Sequence, residues 1–116
     1  MEQKELLSAI LNSMTDEMVF VDNEHIIRYV NLAGKKKYAK FGDILGKSIF
    51  ACHNPHSVEI IKNCYVKLQA GEEDILFSDN EKRSVYMHAV RDESGQLLGY
   101  YERYWRKQAT CLSATK

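Results

Sequence analysis

Cys52, His53 and His56 crowd around Asn54-Pro55. Sulfur and imidazole are ligands that transition metals select. A thiolate beside an imidazole is also the pair used in nucleophilic catalysis. Both chemistries need more than these residues supply. A metal site requires three or four convergent groups, and the adjacent Cys52 and His53 point apart in an extended chain. A Cys/His enzyme also requires an oxyanion site. A helix starting at Asn54 would lower the pKa of a nearby thiol, yet nothing else in the chain resembles a catalytic constellation. No catalytic residue and no metal site is assigned, and the chain is read as a non-enzyme. His53 keeps two other readings. It either bonds backbone or a carboxylate near the helix entry, or lines a cavity mouth and donates to a ligand.

Glu102 is the other chemical oddity. It lies in an aromatic run, Leu97 to Trp105. Strand side chains alternate, so if Leu98, Tyr100 and Tyr104 face inward, Glu102 does too. A buried carboxylate is costly unless paired; His53, an Arg or a ligand's cationic or hydroxyl group could be the partner. The opposite parity would bury Tyr101, Arg103 and Trp105 and leave Glu102 in water. The run is apolar on both faces, and both parities stay open. Tyr65, Tyr86, Tyr100 and Tyr104 either fill the core or turn their hydroxyls toward a polar ligand. Met87 and Cys64 read as plain core, and His88 as an outer-face residue.

The elements that must hold these groups follow from periodicity. Val85, Met87 and Ala89 alternate with Tyr86 and His88, and Asp92-Glu93-Ser94-Gly95 separates them from the aromatic run. That is a hairpin of two long strands. Upstream, Leu6, Leu7, Ile10, Leu11 and Met14 form one stripe of an amphipathic helix over about residues 2–14. The helix either covers the outer face of this chain's own sheet or packs on its twin in a dimer, with Leu7, Ile10, Leu11 and Met14 as the seam. Strands follow at 17–22 and 25–30. Asn31 then caps a short helix with Lys35, Lys36 and Lys37 on a solvated face, and residues 41–48 read as a second short helical segment. Asn54 and Pro55 start a longer helix that Gly71 stops. It buries Val58, Ile61, Tyr65 and Leu68, with Ile60 and Cys64 widening the stripe. A strand at 73–78 precedes the hairpin. The order predicts an α+β domain: a five-stranded antiparallel sheet, short helices and one longer helix on the concave face, and the N-terminal helix on the outer face.

The chain has 116 residues with 16 basic and 16 acidic side chains. Zero net charge argues against nucleic-acid binding and against an electrostatic membrane anchor. No apolar run approaches a membrane span, and the first residues lack a signal-peptide core. The cysteines Cys52, Cys64 and Cys111 form no framework, which suggests reduced thiols and a cytoplasmic setting. The expected layout is residues 1–15 as the N-terminal helix, 16–105 as the domain, and 106–116 as a tail or linker.

EMVFVDNEHIIRYVNLAG, DILGKSIF and AVRDESGQLLGYYE, in this order and spacing, resemble the PAS domain family across most of the chain. Cys52-His53-Asn54-Pro55 with Ser57 resembles a bacterial PAS subgroup with Cys-His-x-Pro before the long helix. The resemblance implies a sensor or interaction module that cradles a small molecule, or nothing, between the inner sheet face and the long helix. The lining residues would then be His53, Ile61, Tyr65, Val85, Met87, Tyr100, Glu102 and Tyr104. It also implies a homodimer that signals to a kinase or transcription regulator, as in two-component systems, with that output outside this sequence. Cofactor identity stays open. The flavin photosensor motif Asn-Cys-Arg-Phe-Leu is replaced by Ala51-Cys52-His53-Asn54. Where haem-sensing relatives place a proximal His, this chain has Ile60. A haem- or metal-dependent sensor using His53, His56 and Cys52 is the alternative reading, with a small Cys/His enzyme behind it.

Overall fold

The computed structural model describes residues 1–107 of the chain. Helix α1 spans Gln3–Asn12, β1 Val19–Asp22, β2 Ile27–Val30 and α2 Leu32–Lys37. Two 3-10 turns, Ala39–Phe41 and Ile49–Cys52, lead to α3 at Pro55–Gln69. Strands β3 at Asp74–Asp79, β4 at Arg83–Arg91 and β5 at Leu97–Arg106 follow. All neighbouring strands are antiparallel, in the order β2-β1-β5-β4-β3. This is the α+β five-stranded arrangement expected from the sequence. The predicted tail, Cys111 included, lies outside the described residues except for its start: Arg106 still belongs to β5.

The sheet is built around the β4–β5 hairpin. Its turn closes on Asp92, whose Oδ1 accepts from the backbone N–H of Ser94 and Gln96, while Gly95 takes φ 90°. Helix α3 begins as its sequence dictates: Asn54 Oδ1 accepts from Ser57 N–H at 2.8 Å, and Pro55 occupies the first turn. Gly71, at φ 111°, lets the chain leave the helix. Arg91 fastens this end to the sheet, with Nη2 donating to the Leu68 carbonyl at 2.8 Å and Nε to Glu73 at 2.6 Å. Ile61, Cys64 and Leu68 form the buried stripe of α3 and meet Val21, Ile75, Met87 and Ala89 of the sheet. Full burial of one such aliphatic side chain contributes about 1.5–3 kcal/mol.

Asn31 joins the β2–α2 corner to two other segments. Fully buried, its Oδ1 accepts from Met18 N–H and Gly34 N–H, both at 2.8 Å. Its Nδ2 donates to the carbonyls of Leu11 at 2.9 Å and Asp16 at 3.1 Å. The last turn of α1 is thereby tied to the domain, although α1 itself buries no residue. The outer face of the sheet stays open as well, with Leu76 and Trp105 exposed.

The helix expected at residues 41–48 does not form. Phe41 ends a 3-10 turn, and Gly42 and Gly46, at φ 75° and 86°, break any helical path between them. The segment bonds the edge of β2 instead: Gly46 N–H donates to Ile27 O at 2.8 Å and Ile27 N–H to Lys47 O at 2.9 Å. A strand edge thus outcompeted a local turn for the same backbone groups.

Candidate functional site

Register decides which side chains of β5 face α3. Tyr100 pairs with Ala89 and Val21, Glu102 with Met87, and Tyr104 with Val85. Met87, Ala89 and Val21 are core residues, so Tyr100, Glu102 and Tyr104 point inward. Leu98 does not join them. A bulge between Val90 and Arg91 leaves it without a partner, and it is exposed.

A cavity of about 30 Å³ lies between this face and the chain leading into α3. His53, Ile61, Met87, Tyr100, Glu102 and Tyr104 line it, together with Tyr38, Ile44 and Cys52. Tyr65 and Val85 are not on its wall. That volume holds no more than about two waters, far below the roughly 300–1,000 Å³ of small-molecule pockets. The tyrosines fill most of the space. A second, open cleft of about 450 Å³ lies outside, between the β2 edge and the 42–45 loop, with Arg28, Lys35 and Asp43 on its rim. Tyr38 and Ile44 line both spaces.

The polar groups are arranged in two sets. Tyr104 hydroxyl donates to Glu102 Oε1 at 3.0 Å. Beside it, Glu17 pairs with Lys37 and lies 3.9 Å from Arg83. Burial would push the Glu17 carboxyl up, but the hydrogen bond and charge of Lys37 outweigh it and hold the pKa below the ordinary value. Burial, then the charges of Glu102 and Glu17, push the Tyr38 phenol up to about 12. Tyr104 and Tyr100 are also raised, mainly by burial. All three phenols stay neutral at physiological pH, and those of Tyr104 and Tyr100 are hydrogen-bonded, to Glu102 and His25.

Tyr100, on the wall of the cavity, is held from behind by His25, a residue that periodicity does not single out. His25 was placed at the start of a strand, but it ends the turn before β2 with φ 66°. Its Nδ1 is 2.8 Å from the Tyr100 hydroxyl, and its ring lies 4.7 Å from Tyr65 and 4.8 Å from Phe50. Tyr65 is held in turn by donating to Asn23 Oδ1 at 2.9 Å. The available signal was the turn Asp22-Asn23-Glu24, after which a His tolerates the left-handed conformation better than most residues. Burial lowers the His25 pKa, Asp22 partly opposes this, and the Lys62 charge adds to it. The unfolded chain therefore takes up this proton first as pH falls. The associated stability is complete above the unfolded value of about 6.5 and is lost as pH drops toward the lower folded value. Thermal melts from pH 7.5 to 5.5 should fall more steeply for the native chain than for His25→Asn, which keeps the turn geometry but cannot titrate. Parallel profiles would contradict this.

Cys52 is half-buried in the 3-10 turn, and Cys64 is buried in α3, where burial raises its thiol pKa. His53 borders the cavity, whereas His56 is exposed on the first turn of α3. Among the described residues no three His, Cys, Asp or Glu side chains converge in a metal-ligating group. Of the proposed seam, Leu7, Ile10 and Met14 are exposed and Leu11 is half-buried. Among the described residues no helix is long and apolar enough to cross a membrane.

The profile of the PAS domain family matches residues 7–105. No curated protein matches the sequence. Among solved structures, the chain is similar to the C-terminal domain of a Streptococcus mutans protein, at 24% identity and TM-score 0.71, covering 95% of this chain and 89% of that one. It is also similar to a PAS domain from Colwellia psychrerythraea, at 14% identity and TM-score 0.65, covering 93% and 99%. A sensory box sensor histidine kinase from Vibrio cholerae matches at 18% identity and TM-score 0.63, covering 90% and 91%.

Proposed function

This chain belongs to the PAS domain family of sensory modules, and from that premise we propose that it takes a small molecule between α3 and the inner sheet face. The observation that carries the reading is Glu102, a carboxylate turned toward an interior otherwise lined mainly by apolar and aromatic side chains. The closed cavity is then the empty state, and ligand entry displaces one of the tyrosines that fill it. The residues proposed to meet the ligand are His53, Ile61, Met87, Tyr100, Glu102 and Tyr104. Tyr65 supports the wall by packing on Tyr100 and His25, and Val85 acts as core.

A second observation favours a second part of the reading. The apolar stripe of α1 is open, with Leu7 and Ile10 about half exposed, at 50% and 52%. Two copies burying this stripe and the outer sheet face would make a homodimer, and the signal would pass through it to a kinase or regulator. The sensor histidine kinase among the similar structures supports that class of output. Free Cys52 and Cys64 suit a reducing, cytoplasmic setting in a bacterial cell.

Native mass spectrometry of freshly purified protein tests both parts. The expected result is a dimer carrying additional non-covalent mass. Leu7→Glu with Ile10→Glu should give a monomer that keeps that mass. A ligand-free monomer in the native chain would remove the reading.

A further inference from the structure

Glu102 and Tyr38 together narrow what the site takes and how it enters; this rests on the sensory reading above. Tyr104 donates one hydrogen bond to Glu102 Oε1. Among the described residues no Lys, Arg or His comes within ion-pair distance of Glu102. The neighbouring cations are committed elsewhere: Lys37 and Arg83 to Glu17, and Arg106 to Asp16 at 2.5 Å. Glu102 is half-buried, faces an interior lined mainly by apolar side chains, and has one hydrogen bond, from Tyr104, among the described residues, so its second oxygen is open to a guest. A positively charged guest would be attracted to it, whereas an anion would be repelled.

The route is set by the wall. Tyr38 closes α2 as its C-cap residue, and Ile44 sits in the irregular segment between Gly42 and Gly46. These two side chains separate the 30 Å³ interior from the 450 Å³ cleft. Neither belongs to the sheet, so the phenol can swing without breaking a strand ladder. The cleft alone, at about 450 Å³, lies in the range of about 300–1,000 Å³ that small molecules occupy, and opening the wall would connect it to the interior beside Glu102. The cleft mouth is mixed in charge: Arg28 is engaged with Asp22 at 2.7 Å, and Lys35 and Asp43 share the rim. Selection by sign therefore falls on Glu102.

We propose that the cavity binds a small organic cation, an amine on a compact apolar or aromatic body, which enters from the cleft past Tyr38 and pairs with Glu102. The body would lie against Ile61 and Met87, and the ammonium would take the Glu102 oxygen that Tyr104 leaves free.

The probes are benzylamine, benzyl alcohol and benzoate, titrated into native protein, Glu102→Gln and Tyr38→Ala, with the Met87 methyl resonance as the readout. Circular dichroism confirms that each variant is folded, and Tyr38→Leu replaces the alanine variant if needed. Benzylamine should bind roughly tenfold or more tightly than benzyl alcohol, because a charge-assisted hydrogen bond is at stake. Benzoate should be excluded. Glu102→Gln should remove the benzylamine preference, and Tyr38→Ala should raise benzylamine affinity several-fold, because the closed state no longer competes. Equal binding of amine and alcohol, or an unchanged preference in Glu102→Gln, would overturn the cation assignment and leave a sensory pocket standing. An unchanged affinity in the Tyr38 variants would overturn the route. If no probe moves the Met87 methyl in any variant, the cation assignment falls. If the purified protein is also ligand-free, the sensory pocket falls with it.

Discussion

Replacing Asn31 by alanine should cost about 3–5 kcal/mol and leave the domain largely unfolded under conditions where the native chain is stable. The side chain is fully buried and uses its complete bonding capacity on main-chain groups. Removal takes the Asn31 partner from the N–H groups of Met18 and Gly34 and from the Asp16 carbonyl, while the Leu11 carbonyl keeps its bond from Met14 N–H at 3.3 Å. Each buried group left unmade costs about 1–3 kcal/mol, less where water reaches it. Asn31→Asp makes a discriminating companion. It keeps both accepting bonds but turns an acceptor toward the Leu11 and Asp16 carbonyls, so it should also destabilise, through repulsion at α1 rather than through loss of the α2 cap. Urea denaturation followed by circular dichroism measures both. A loss below about 1 kcal/mol for the alanine variant would show that the corner does not depend on this side chain.

Gly99→Ala should be as damaging, for a steric reason. A Cβ at this position would stand 2.1 Å from the Val21 carbonyl oxygen, 2.7 Å from Phe20 Cζ and 2.9 Å from Asp22 Cα. Two of these atoms are backbone of β1, and β5 is paired on both sides, with Gly99 opposite Asp22 and Val90. The neighbouring turn cannot yield cheaply, because the Asp22 carboxylate holds Glu24 N–H, Ile26 N–H and Arg28. Overpacking that forces a central strand to move should exceed about 3 kcal/mol. Gly95→Ala is the control. Gly95 has φ 90° but open space where its Cβ would go, so only the conformational penalty of about 1–2 kcal/mol applies. Similar melting temperatures for the two variants would argue against close β1–β5 contact at Gly99.

Different parts of the chain were legible for different physical reasons. Asn54-Pro55 and Gly71 bounded α3 because capping chemistry is local: each acts on backbone groups within a turn. The β4–β5 hairpin was legible from alternation, but the parity of β5 was not, because apolar side chains occupy both faces. Only the pairing of Glu102 with Met87 places that carboxylate inward. The 41–48 segment misled because its fate depends on the edge of β2, distant in sequence. Asn31 was visible as an N-cap, whereas its bonds to Leu11 and Asp16 depend on where α1 ends. Helical spacing puts Tyr65 on the inner stripe of α3, yet its ring packs on His25 and Tyr100 rather than lining the cavity, and a turn residue in a left-handed conformation, as His25 is, leaves no periodic trace.

Trp105 is the chain's single tryptophan. It stands opposite Ser84 on the face away from Tyr104, with 62% of its surface open. The protein therefore carries its own optical reporter on the outer face of the sheet, with no other indole to blur it. Covering that face shifts the emission to the blue and shields it from acrylamide, while events confined to the interior leave it to first order unchanged. A fluorometer can then separate what happens inside the sheet from what assembles on its back.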